Sequence, residues 1–160
     1  MKPSPDQGFT LMELVIVVVV IALVLAVSYP SLSRGSAAIK LRSTGRDVLN
    51  TFRYAREKAV TEQTGMRVTV DREKQELILS DDLGDGRRTY RLSDGVRIQR
   101  LVLGGTEVTE GPLVVRFLPN GSAENAEVLL QSKTGSYLRV ITDPITGGAR
   151  AEKGLGESFQ

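Results

Sequence analysis

The sequence predicts an α+β fold: one long N-terminal helix, half transmembrane and half amphipathic, packed on an antiparallel, β-sandwich-like head of seven or eight short strands. Three observations predict it. Residues 14–27 are unbroken hydrocarbon. Residues 31–63 carry an apolar stripe at helical spacing. From residue 65 onward the texture changes to short period-two runs separated by turn residues. The 160 residues suffice for one modest domain plus an appendage.

Composition removes several function classes. The chain has no cysteine, so disulfides, thiolate metal sites and cysteine nucleophiles are excluded. It has no histidine either, which removes the commonest general base and metal ligand. Together these argue against an enzyme and against a bound cofactor or metal. A formal net charge of +2 is too small to argue for nucleic acid.

The first element is the apolar segment. Residues 9–29, as a helix, would be roughly 31 Å long at about 1.5 Å per residue, close to the ~30 Å of a bilayer's hydrocarbon. A cleaved secretory signal ending near Ala26-Val27-Ser28, a plain anchor and a processed filament helix all fit that length. Glu13 discriminates among them. A carboxylate in an apolar helix costs about 2.5–3.5 kcal/mol on insertion scales, and neither a signal nor a plain anchor needs it.

The stretch "GFTLMEL" resembles the processing site of type IV pilins and type II secretion pseudopilins. A polar leader ends at Gly8, followed by Phe9, Thr10-Leu11, Glu13 and fourteen apolar residues, with Pro30 just beyond. The resemblance implies that residues 1–8 are a leader removed by a prepilin peptidase, which cuts between Gly8 and Phe9 and methylates the new amine. It further implies a single-pass inner-membrane helix over 9–29, a periplasmic head, and assembly with the major and other minor pseudopilins through N-terminal helices. Glu13 would then meet the Phe9 amine of a neighbouring subunit in the filament. Charge counting alone points the other way, since only Lys2 precedes the apolar run while Arg34, Lys40, Arg42 and Arg46 follow it. The processing motif takes precedence, because the peptidase meets the leader in the cytoplasm.

The second element, residues 30–64, continues the helix. Pro30 is expected to kink it rather than end it. Ile39, Leu41, Val48, Phe52, Ala55 and Ala59 form the stripe that should pack on the head, and Gly65 is the expected C-cap.

The head, residues 65–160, reads as strands at 66–70, 76–80, 88–92, 96–103, 113–118, 127–132 and 137–142, with "GGARAEK" as an eighth and the last residues frayed. "DDLGDG" (81–86) lacks the ligand spacing of a calcium loop and reads as a turn. Asn120-Gly121-Ser122 fits a glycosylation sequon but also a tight turn, which is preferred. Two head motifs, Phe117-x-Pro119-x-Gly121 and a closing Thr146-Gly147 turn, resemble the GspH/FimT branch of minor pilins. That branch implies a GspH-like minor pseudopilin near the tip of a type II secretion pseudopilus. The alternative is a FimT/FimU-like type IV minor pilin that binds DNA through basic C-terminal residues. Here those are Arg139, Arg150 and Lys153, a sparse set with only Tyr137 and Phe159 nearby for stacking, so the sequence argues against nucleic acid as a partner.

Overall fold

The structure, a computed structural model, describes the backbone of residues 10–154 and the side chains of that range except 26–34. It divides into two compact units, Met1–Ser36 and Ala37–Gln160. One helix, α1 (Leu11–Glu62), contributes to both and passes through position 30 instead of stopping there.

From Leu14 to Leu25 the helix is apolar on every side. Thirteen large hydrophobic side chains between Leu11 and Leu25 are about half exposed or more, from Val17 at 47% to Leu11 at 81%. A helix apolar all round has no solvent face, so this segment requires other apolar surroundings.

In the second unit the helix becomes one-sided. Leu41, Thr44, Val48, Thr51, Phe52, Ala55 and Ala59 are buried, at the three- and four-residue steps that fall on one helical face. Arg46, Arg53, Arg56 and Glu57 are exposed. Ile39, expected in the stripe, is 69% exposed. Its place near the start of the buried face is taken by Leu41 and by Gly45, where Leu138 lies so close that a Cβ would come within 1.8 Å of its Cδ2. The helix ends on Gln63, which takes the left-handed φ of 52°. Gly65 is therefore not the cap. A Cβ at Gly65 would meet only the tip of the Asp82 side chain, 1.9 Å from Oδ2.

Nine strands follow among the described residues, one more than the sequence suggested: β1 (Met66–Asp71), β2 (Glu76–Asp81), β3 (Arg88–Arg91), β4 (Val96–Leu103), β5 (Thr106–Glu107), β6 (Leu113–Phe117), β7 (Ala126–Ser132), β8 (Tyr137–Thr142) and β9 (Ala149–Gly154). The extra one is β5, two residues folded back on β4 with Val102 opposite Glu107. The strands form two antiparallel sheets in the orders β3-β2-β1-β6 and β5-β4-β7-β8-β9. Alternation decides the inner faces: β1 buries Met66, Val68 and Val70, and β6 buries Leu113, Val115 and Phe117. These residues, the helix stripe, and Ile98, Leu101, Val128, Leu130 and Val140 of the second sheet form one hydrophobic cluster. Phe52 and Phe117 meet within it at 5.8 Å between centroids, tilted by 54°, a favourable aromatic arrangement.

Thr142 is the buried polar staple of the second sheet. Its hydroxyl accepts the Ala126 N–H at 2.8 Å and donates to the Glu124 carbonyl at 2.6 Å, so its burial leaves no group unpaired.

Candidate functional site

The sequence places the function at the start of α1. Gly8 and Phe9 lie outside the described residues. Thr10 caps the helix: its carbonyl and its hydroxyl accept the Glu13 N–H, at 3.1 and 3.2 Å. Thr10 and Glu13 thus hold the first and last positions of a Thr-x-x-Glu capping box, a spacing legible in the sequence but masked there by the processing motif. Glu13 is exposed, in the first turn of α1, where the helix dipole favours an anion. It has no ion-pair partner among the described residues. An exposed carboxylate beside apolar surface can receive a cation brought by another molecule. No helix of the described residues is long and apolar enough to cross a membrane. The side chains described in the apolar run stop at Leu25, so the expected span over 9–29 extends past them at both ends.

The two head motifs, 25 residues apart in sequence (121 to 146), are brought together, and a residue the sequence did not single out joins them. Arg56, on the solvent side of α1, donates its Nε–H to the carbonyls of Thr146 at 2.7 Å and Gly121 at 3.2 Å. The Phe117–Gly121 segment turns through a Gly121 N–H bond to the Leu118 carbonyl, and Asn120 Oδ1 accepts from the Ser122 N–H and hydroxyl. The Asn-Gly pair is thus used as a turn. In the closing turn Asp143 Oδ1 accepts the N–H groups of Ile145 and Thr146, each at 2.9 Å. Those two bonds, Thr146's first, hold the Asp143 carboxyl below its ordinary range. Gly147 adopts φ 62°, and a Cβ there would strike the Gly121 carbonyl at 2.2 Å, so only glycine lets the two turns touch. Arg56 looks solvated in sequence because its partners are backbone carbonyls 65 and 90 positions away.

The three basic residues near the C-terminus separate into two sets. Arg139 and Arg150 share the Glu152 carboxylate at 2.9 and 2.8 Å, and Arg139 also reaches Glu127 at 3.5 Å. Arg150, then Arg139, keeps the Glu152 carboxyl below its ordinary range. Lys153 pairs in register with Leu138, one residue off Arg139 and Glu152, and so faces the other side of the sheet. In the 81–86 loop, Asp81 Oδ1 accepts the N–H groups of Leu83 and Asp85 at 3.0 and 2.7 Å, and Asp82 pairs with Arg67 at 3.3 Å. Those acids serve the turn and an ion pair.

Comparison with known proteins gives two family matches. The family described as "Prokaryotic N-terminal methylation motif" matches residues 3–29, and "Type II transport protein GspH" matches residues 44–147. No curated protein sequence matches significantly. Two solved structures of the minor pseudopilin EpsH, from the type 2 secretion system of Vibrio cholerae, share the fold. One is 13% identical, covering 71% of this chain and 97% of that one with a TM-score of 0.57. The other is 15% identical, covering 74% and 97% with a TM-score of 0.59.

Proposed function

The chain belongs to the GspH family of type II transport proteins, and we propose from this that it is a minor pseudopilin: a structural subunit, not a catalyst, near the tip of the filament that drives folded proteins across the outer membrane. The observation that carries the reading is the start of α1, apolar on every side from Leu14 to Leu25, capped by Thr10 and bearing one exposed carboxylate, Glu13. In the membrane this segment lies in lipid as a single inner-membrane pass, with the head in the periplasm. In the filament the same surface packs on neighbouring helices, the major and the other minor pseudopilins.

Processing supplies the cation that Glu13 lacks. The prepilin peptidase cuts between Gly8 and Phe9 and methylates the amine, which stays cationic. Glu13 of one subunit then receives the Phe9 amine of the next. A charge that is costly alone in hydrocarbon becomes a device for register, because only the correct neighbour neutralises it.

The DNA-receptor alternative is less well supported, since Arg139 already pairs with Glu127 and Glu152, and Arg150 with Glu152. Deleting the gene tests the function. Proteins normally secreted should accumulate in the periplasm, and the full chain should restore their release. Unchanged secretion in the deletion would refute the assignment.

A further inference from the structure

We propose that the end of the head at which α1 enters binds a lipid surface of anionic phosphate headgroups, through Arg42, Arg97, Lys133 and Lys153. This rests on the apolar run being a membrane anchor. Two open hollows, of about 560 and 520 Å³, share Gly135 of the β7–β8 turn as a wall. The first lies between α1 and the β8–β9 hairpin and has Arg42 and Lys153 in its wall; the second has Arg97 and Lys133. All four side chains are exposed. None has an ion-pair partner among the described residues, and no carboxylate lines either hollow. Of the acids close to them in sequence, Glu152 is taken by Arg139 and Arg150, and Asp94 lies outside both walls. Four cations around one turn therefore present a surface that an array of anions fits.

Chain continuity selects the membrane among anionic surfaces. The apolar run ends at Val27, fifteen residues before Arg42 (27 to 42). That stretch covers about 23 Å as helix and at most about 50 Å fully extended. An anchor in the bilayer thus keeps this end within reach of the headgroups, whatever the angle between the two units. Basic residues just outside an apolar span are drawn to anionic headgroups. Lipid contact also accounts for two features that the core leaves unused. Ile39 is 69% exposed on this stretch of α1, and an apolar side chain among cations suits a bilayer interface. Lys40 and Arg42 follow the apolar run, against the charge bias that orients membrane segments; headgroups on that side are their counter-ions. Anionic lipid then holds the head against the bilayer until assembly lifts the subunit out.

The test uses the full chain, with one cysteine introduced into a sequence that has none. Thr134→Cys carries a donor dye in the β7–β8 turn. Thr106→Cys carries it beyond the opposite end of β4, a strand about 25 Å long. Each is reconstituted in vesicles of phosphatidylcholine, or of phosphatidylcholine and phosphatidylglycerol in equal parts, with an acceptor dye on some headgroups. Energy transfer from position 134 should rise in the anionic vesicles, and transfer from position 106 should rise less. The rise should vanish in about 1 M salt, where the screening length is ~3 Å. Arg97→Glu with Lys133→Glu, both at exposed positions, should abolish it and leave insertion intact. No rise, an equal rise from both positions, or a rise that survives the salt or the double charge reversal overturns the proposal. So does a dye at position 134 that responds to added duplex DNA and not to phosphatidylglycerol, which would give the surface to nucleic acid. A chain stripped from both kinds of vesicle by alkaline washing has no anchor, and that result refutes the membrane reading itself.

Discussion

Arg56 shows how a single residue acquires its importance only in three dimensions. Its Nε–H serves two carbonyls from two different turns, and a hydrogen bond from a charged donor contributes about 1.5–3 kcal/mol net. Arg56→Ala should therefore lower the unfolding free energy of the head by about 1.5–3 kcal/mol, measured by urea denaturation of the detergent-solubilised chain. A change within error would mean the clamp contributes nothing. Gly147→Ala should cost at least as much, because it adds a left-handed alanine and a collision with the Gly121 carbonyl. Asp143 gives a pH signature. Its folded carboxyl titrates below its ordinary value, so the stability it contributes is present above the ordinary carboxylate range and is lost as pH falls through the depressed folded value. Asp143→Asn should flatten that acid limb of the stability profile. An unchanged acid limb would show that the Asp143 bonds to Ile145 and Thr146 carry no linkage.

At the scale of elements, α1 is the piece that joins everything in the head. Phe52 is fully buried against Phe117. Phe52→Asp would bury an unpaired charge, and a loss above about 4 kcal/mol follows, most of the stability of a head near the ~5 kcal/mol low end for small domains. Phe52→Leu, which keeps the face apolar, should fold with a loss of only about 1–2 kcal/mol. A well-folded Phe52→Asp head would contradict the buried stripe. Much of this element was legible: the three- and four-residue steps of Leu41, Val48, Phe52, Ala55 and Ala59 gave the face, and period-two alternation located eight strands within a residue or so at most ends. The rest was not, for physical reasons. Gly45 reads as a helix weakener until Leu138 packs over it. Thr44 and Thr51 read as polar until the sheets cover them. Gln63 takes a left-handed conformation that glycine normally holds, and no local pattern marks it for that. Strand β5 is two residues long, too short for alternation to exist. At the candidate site, Gly8, Phe9 and Glu13 came from a local motif and needed no tertiary information, whereas Arg56 had no local signal at all.

For the whole molecule, the two units make opposite demands. The head closes its own core within Ala37–Gln160, so that fragment should be soluble and fold cooperatively. Aggregation of the fragment would show that its core depends on the apolar unit. The apolar unit is completed only by lipid or by other subunits. Glu13→Leu should insert into the membrane at least as well as the parent, because it removes the cost of a buried charge, yet it should fail to cross-link with neighbouring pseudopilin helices and fail to support secretion. Glu13→Gln keeps the shape and loses the charge, so it should fail in the same way. If Glu13→Gln assembles and secretes like the parent, the ion pair with Phe9 is not the device.

Every part of that account passes through one event, the creation of a cationic amine at Phe9. The most direct measurement is therefore mass spectrometry of the N-terminal peptide of the protein extracted from membranes of cells with an active prepilin peptidase. The expected result is a chain that begins at Phe9 and carries an N-methyl group, and a chain left uncut when Gly8 is replaced by a bulky residue. A mature chain that keeps Met1, or that begins at Tyr29 as a cleaved secretory signal would leave it, would contradict the account.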